Sequence, residues 1–356
     1  MNYLTATKNK KYLMYISQNY SYAILRPLQA QILAHGGEVR WFLAGNEVDS
    51  KFLTTDEQRL NTIKNVKNWA PDITFIPGNI VPSFIPGKKV AVFHGFNSEK
   101  RSSEGNRGHF TIRGCYDLYC TQGPNTTERF KELAKQHGFF KVTETGWSTL
   151  DPLFSETLNN PYVSNDPRPT LLICSTFSRK LSLAPKLYEQ IKQFSEAGKW
   201  RILMQFHPKM PTEWVAKYKA LSNENLTFIE TDNVLPLLQA ADVMLCDTSS
   251  VLLMFLLLRK PVVTFCNQKP QPHLLDITDA EEVENAITHA LSKPADLMKN
   301  IEAYCQELHP YTDGQSSKRV LNATNEFLQN DEKLKPKPLN IVRNFKMRKE
   351  LNYWGW

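Results

Sequence analysis

Val243-Met-Leu-Cys-Asp-Thr-Ser-Ser-Val-Leu-Leu-Met-Phe255 runs an apolar strand into a polar turn and out into an apolar helix. The strand ends at Cys246, Asp247 and Thr248 form the turn, and Ser249 and Ser250 open the helix. Small hydroxyl residues at a helix start cap free backbone N–H groups. The same N–H groups, with the positive end of the helix dipole, also make a phosphate site. Taken alone, the stretch reads equally well as a simple cap or as an anion site.

The same strand–turn–helix grammar extends in both directions. Apolar runs predict strands at Lys11–Ile16, Val39–Leu43, Ile73–Ile76, Val90–Phe93, Asp117–Cys120 and Val142–Thr145. A second series follows at Thr170–Cys174, Arg201–Phe206, Leu226–Ile229, Val243–Cys246 and Val262–Phe265. Helical patterns lie between them, among them Leu25–Ala34, Thr126–Gln136, Pro185–Glu196, Val234–Ala240, Ser249–Leu258 and Ala280–Leu291. Such alternation implies α/β architecture, with parallel sheets covered on both faces. From Asp151 to Pro169 the pattern breaks into prolines and asparagines, a linker composition. The expected organisation is an N-terminal domain at 1–150, a linker at 151–169, a second domain at 170–330 and a tail at 331–356. Both domains read as doubly wound Rossmann-type units facing across a ligand cleft.

Composition sets outer bounds. The 356 residues are 41% hydrophobic and 22% charged, ordinary for a soluble globular chain. No run approaches the ~20 apolar residues that span a bilayer, and the first residues lack the apolar core of a secretory signal. A cytoplasmic location is expected. The six cysteines form no C-x-x-C pair and read as buried free thiols. The net charge is +7, of which the last 26 residues supply +4, with seven basic against three acidic side chains. The body is therefore close to neutral, and nucleic acid is not an expected partner.

Further polar segments sit at predicted strand ends. Ser175-Thr176-Phe177-Ser178-Arg179-Lys180 offers hydroxyls and two cations after one strand, and Arg179 has the planar fork that clamps phosphate. The alternative is a solvated turn. Phe206-His207-Pro208 places His207 at the carboxyl edge of the next strand, or else exposes it on a plain loop. In the first half, the strand at Val90 stops at His94-Gly95. A histidine there suits proton transfer near neutral pH, and Gly95 permits close approach to the backbone. The alternative is a packed capping histidine. Residues 97–113, with Lys100 and Arg113, read as an acceptor loop or as plain surface. His35, His137 and His289 read as helix or helix-end residues.

Together these segments resemble the motif series of the CDP-glycerol glycerophosphotransferases, which include the teichoic acid polymerases. His94-Gly95, Ser175–Arg179, Phe206-His207-Pro208 and Asp247-Thr248-Ser249-Ser250 carry the likeness. Thr145-Gly146 through Asp151 and Asp313-Gly314 through Arg319 add to it. After His94-Gly95 the chain reads Phe96-Asn97-Ser98-Glu99-Lys100, with the lysine one place late, and Trp147-Ser148-Thr149 replaces a Pro-Arg pair. The resemblance implies a GT-B fold that acts without metal or cofactor. It implies that His94 is the base, while His207, Arg179, Ser249 and Ser250 hold the donor pyrophosphate, alongside Ser175, Thr176, Asp247 and Thr248. Asp232 and Asn233 would lie near the nucleoside, and Gly95, Lys100 and Arg113 near the acceptor.

The expected reaction moves a glycerol phosphate, or a related polyol phosphate, from a CDP-activated donor to a glycan or lipid-linked hydroxyl. A GT-B glycosyltransferase or nucleotide-sugar epimerase is the alternative within enzymes. A non-catalytic nucleotide- or polymer-binding protein at the membrane surface is the alternative outside them. The tail motivates the last, because Ile341–Trp356 mixes cations with Phe345, Tyr353, Trp354 and Trp356. Such a tail contacts the inner face of the membrane, or packs back on the first domain.

Overall fold

The computed structural model describes residues 7–96, 108–155, 160–231, 233–249, 251–330 and 332–355. It divides into two units, one formed by Met1–Asp151 with Glu307–Trp356, the other by Pro152–Gln306.

In the first unit the strands are β1 (Lys11–Ile16), β2 (Glu38–Leu43), β3 (Ile73–Ile76), β4 (Lys88–Ala91), β5 (Leu118–Thr121) and β6 (Lys141–Glu144). They form one parallel sheet in the order β2-β1-β3-β4-β5-β6. In the second unit they are β7 (Thr170–Ser175), β8 (Arg201–Phe206), β9 (Leu226–Phe228), β10 (Val243–Cys246), β11 (Val262–Phe265) and β12 (Leu275–Ile277). This sheet is also wholly parallel, in the order β12-β11-β10-β7-β8-β9. Successive strand residues point to opposite faces. In β7 the side chains of both parities are buried, Leu171 and Ile173 on one face, Leu172 and Cys174 on the other. In β1, Leu13 and Tyr15 alternate with Tyr12 and Met14 in the same way. Each sheet is therefore covered on both sides, which is why its strands read as continuous apolar runs.

All eleven expected strands form, with ends moved by at most two residues. The additional strand, β12, has three half-buried residues, too few to show a period. The strand order reverses between β1 and β3 in one unit and between β7 and β10 in the other. At such switch points the loops on either side diverge and leave a crevice at the carboxyl edge.

The division of the chain differs from the expected one at its C-terminal end. The first crossing falls at Asp151, close to the expected boundary, but residues 307–356 return to the first unit instead of closing the second. Helix Ser316–Gln329 buries Val320, Leu321 and Ala323, and its Asn325 accepts from the Tyr12 hydroxyl (3.2 Å) and donates to Thr7 Oγ1 (2.8 Å). An amphipathic helix pattern does not say which sheet it will cover, so the return was hidden.

Asp151 ties this return together. Its buried carboxylate accepts from Ser316 N and Ser317 N, both at 2.7 Å, and so caps the helix from 165 residues away. Trp147 N donates to His309 Nε2 (2.9 Å), and Arg319 Nε donates to the Thr145 carbonyl (2.9 Å). Asp313 pairs with the same arginine through both oxygens (2.8 and 2.9 Å). Gly146 has φ +78, and a Cβ there would stand 2.4 Å from Ser316 Oγ. The two motif segments at 145–151 and 313–319 thus form one structural joint. Replacing Asp151 by Ala orphans two helix N–H groups, and we expect a loss of about 1–2 kcal/mol in urea unfolding. Asp151→Asn, which keeps one acceptor oxygen, should fall between.

Candidate functional site

Unit Pro152–Gln306 places the β7 loop and the β10 turn side by side at its switch point. Asp247 joins them. It is fully buried, and its carboxylate accepts from Ser175 Oγ (2.7 Å), Thr176 N (3.0 and 3.1 Å) and Leu183 N (3.0 Å). Ser175 Oγ also bonds Ser182 Oγ (2.8 Å). A tight turn follows, with Leu181 N and Ser182 N donating to the Ser178 carbonyl (3.0 and 2.8 Å). The loop from Ser175 to Leu183 is therefore wrapped around one carboxylate. Burial raises the Asp247 pKa, against the opposing pull of its hydrogen bonds to Ser175, Leu183 and Thr176.

This arrangement alters the reading of two expected ligand contacts. Asp247 and Ser175 have their polar atoms turned into the loop, so they shape it and present other groups. Those groups are half-buried Thr176 and exposed Arg179 and Lys180. Thr248 Oγ1 donates to Asn267 Oδ1 (3.4 Å) and accepts from Gln268 N (3.2 Å). Ser249 N donates to the Asp247 carbonyl (2.9 Å). The helix expected from Ser249 begins at Val251 and has seven residues, with Val251 N at 3.5 Å from Ser249 Oγ. Ser250, Asp232 and Lys100 lie outside the described residues.

His207 follows β8, and its backbone N–H donates to the Ser175 carbonyl (3.1 Å). Its ring centroid stands 4.5 Å from that of Phe177, a partner the sequence did not single out. Lys209 N donates to His207 Nδ1 (3.0 Å). A nitrogen that accepts carries no proton, so the neutral ring bears its hydrogen on Nε2. Burial, then the Lys209 charge, lowers the His207 pKa, so the neutral form persists further into acid. Beside it lies a pocket of about 390 Å³, walled by Gln205, Pro208, Phe228 and Thr231. Asn233, expected near the nucleoside, is exposed, and its Oδ1 accepts from Leu235 N (3.2 Å) in the turn that leads into the next helix.

In the first unit His94 follows β4, beside the β1/β3 switch point. Its Nδ1 lies 3.0 Å from the Pro77 carbonyl at the end of β3. A carbonyl can only accept, so Nδ1 carries the proton and Nε2 keeps its lone pair. Phe93, one residue before, has φ +58, a conformation an aromatic residue adopts only when its surroundings impose it. Its ring stacks on His109 at 5.0 Å. Tyr20, at the start of helix Ser21–Ala34, brings its ring to 5.8 Å from that of His94. A recess of about 30 Å³, room for one water, is lined by His94, His109 and Arg113. Burial, then the neighbouring His94 and Arg113, lowers the His109 pKa to about 4. Gly95 is not sterically required, since a Cβ there would meet nothing within 4 Å among the described residues. Its carbonyl accepts from Gln122 Nε2 (3.1 Å).

The residues with matching chemistry are thus grouped within each unit. The first holds an imidazole with a free lone pair, the second an imidazole with a free N–H beside a cationic loop. Among the described residues no cluster of His, Cys, Asp or Glu could hold a metal.

Residues 176–271 match the family model described as CDP-Glycerol:Poly(glycerophosphate) glycerophosphotransferase. This stretch holds Arg179, His207 and the Asp247 turn, so the resemblance read from those motifs stands. No curated protein matches the sequence. Among solved structures, the chain is similar to the wall teichoic acid polymerase TagF, at TM-score 0.61 and 14% identity over 92% of both chains. It is also similar to a putative UDP-N-acetylglucosamine 2-epimerase from Listeria monocytogenes (TM-score 0.62, 14% identity, 93% of this chain and 99% of that one). The Neisseria meningitidis UDP-GlcNAc 2-epimerase bound to UDP-GlcNAc gives TM-score 0.61 and 13% identity over 90% and 100% of the two chains. These likenesses establish a shared fold of two parallel-sheet α/β domains, the GT-B type expected from the sequence.

The two imidazoles provide a direct check. Long-range ¹H–¹⁵N spectra at pH 8 should show His94 as the Nδ1–H tautomer and His207 as the Nε2–H tautomer. The His207 titration midpoint should lie below that of free histidine, because burial and Lys209 disfavour its cation. The same tautomer at both positions would contradict the arrangement.

Proposed function

We propose that the protein transfers a glycerol phosphate, or a related polyol phosphate, from a CDP-activated donor to a hydroxyl of a cell-surface glycan or polymer, releasing CMP. The observation that carries this reading is the pair of oppositely set histidines, one of them inside the segment that matches the family. The match over 176–271 supports a glycerophosphotransferase, and TagF has been solved with CDPG.

In this reading the second unit binds the donor. Arg179 and Lys180, presented by the Asp247-wrapped loop, meet the diphosphate as charge-assisted donors. His207 Nε2–H donates to a phosphate oxygen, and its neutral state leaves the nitrogen a directed donor. The half-buried Ser249 hydroxyl at the same edge contributes a further hydrogen bond, and the pocket beside His207 accommodates the nucleoside near Thr231 and Asn233. In the first unit His94 Nε2 takes the proton of the acceptor hydroxyl. The acceptor oxygen forms a bond to the phosphorus that bears the glycerol, and the bond from that phosphorus to the CMP oxygen breaks. Charge that builds on the leaving phosphate is met by Arg179 and His207. Arg113, at the recess beside His94, and Gly95, next along the chain, border the acceptor, as Lys100 would.

The test is CMP release from CDP-glycerol with purified full-length protein. His94→Ala should lower kcat by about 10²–10⁴-fold, the usual range for a general base, with donor affinity in calorimetry unchanged. Arg179→Ala should chiefly weaken donor binding. Unaltered turnover in His94→Ala would remove it as the base. Consumption of a UDP-sugar instead of CDP-glycerol would favour the epimerase-like chemistry of the other fold relatives.

A further inference from the structure

A helix that faces water ordinarily turns its polar side outward. Helix Ile341–Glu350 departs from that pattern. Its inner side is Arg343, Asn344, Met347 and Arg348, and these hold it to the first unit. Arg343 Nη1 donates to the Arg113 carbonyl (2.7 Å), Ser83 N donates to Asn344 Oδ1 (3.1 Å), and Met347 is buried. Arg348 covers the Phe84 ring at 4.8 Å. Just before the helix, Pro338 packs on Gly114 and Lys337 pairs with Asp117 at 2.7 Å. The tail therefore does pack back on the first unit, through polar groups together with buried Met347 and the ring of Tyr353, which stands 5.2 Å from that of Phe84.

Its outer side is apolar. Ile341 and Val342 are each 71% exposed, Phe345 is 59% exposed, and Leu339 just ahead is 77% exposed. Trp354 comes round to stand 5.5 Å from Phe345. Five of the eleven large apolar side chains exposed among the described residues fall in this one short stretch. Such concentration marks a binding face, since scattered exposure is the ordinary case. Exposed Lys346 and Lys349 flank the patch, and exposed Lys333 and Lys335 lie on the approach to it.

We propose that this outer face seats on an anionic lipid surface, with Ile341, Val342, Phe345 and Trp354 entering the acyl boundary and the lysines meeting lipid phosphates. An apolar cluster with exposed lysines on the same helix is what such a surface recognises. A second copy of the chain fits less well, because a two-fold contact on this face would gather the lysines of both copies, Lys346 and Lys349 from each, at one interface. Arg113 links the face to the site: its carbonyl holds the helix, and its side chain lines the recess beside His94. Seating on lipid would hold that edge of the unit near a lipid-linked acceptor. This last step rests on the transferase reading; the lipid contact itself does not.

Flotation of the full chain with vesicles of phosphatidylglycerol and phosphatidylcholine tests the contact. The protein should float with them, float less at high salt, and stay behind with phosphatidylcholine alone. Val342→Glu with Phe345→Glu should cut the bound fraction roughly tenfold or more, and Lys346→Glu with Lys349→Glu should also weaken it. Thermal melting, and CMP release with a soluble acceptor, should be unchanged in both variants. Equal flotation of wild type and variants, or none by the wild type, overturns the proposal. A dimer dispersed by Phe345→Glu would also overturn it, assigning the face to a second copy. Flotation that persists in a protein with no CMP release would count against the transferase reading alone.

Discussion

A carboxylate removed from water must be met by donors, or the fold bears the cost of its desolvation. Asp247 is in that position at the end of β10, and it is met by a hydroxyl and two backbone N–H groups from one loop. Each such bond to a charged acceptor contributes about 1.5–3 kcal/mol. Burial still raises its pKa, so the set is not in excess. The dependence runs both ways. The loop after β7 has no regular structure of its own and takes its path from the carboxylate. That path brings Thr176, Phe177 and Arg179 to the edge where β8 ends in His207.

The histidines extend the same logic to chemistry. Neither ring has its role written in its residue type. A carbonyl beside Nδ1 leaves His94 with a lone pair to offer, and an amide N–H beside Nδ1 leaves His207 with a proton to offer. Backbone groups supply both partners, so the assignment follows from where β3 and β8 end. Phe93, one residue before the first of these rings, is held at positive φ, so the backbone is strained at the same strand end.

A second carboxylate-centred joint organises the first unit. Asp151 caps helix Ser316–Gln329 as the chain returns to that unit, and the tail then runs past Gly114 to the helix at Ile341–Glu350. Two segments that resemble family motifs thus serve structure here, while the tail they lead to presents an apolar face outward.

Strands, their parallel grouping and the carboxyl-edge position of His94, Arg179 and His207 were legible in the sequence. Parallel strands buried on both faces must be written as unbroken apolar runs, and loops after them must be polar. The family likeness of the 176–271 segment was legible for a related reason, because short polar motifs at strand ends keep their order. What Asp247 does was not legible, since a carboxylate in a turn looks like surface until a loop 72 residues away closes over it. Nor was the return of residues 307–356 to the first unit, because an amphipathic helix records that it covers a sheet without recording which. Tautomers, the recess beside His94 and the outward face of the last helix were likewise decided only in three dimensions, where partners distant along the chain become neighbours.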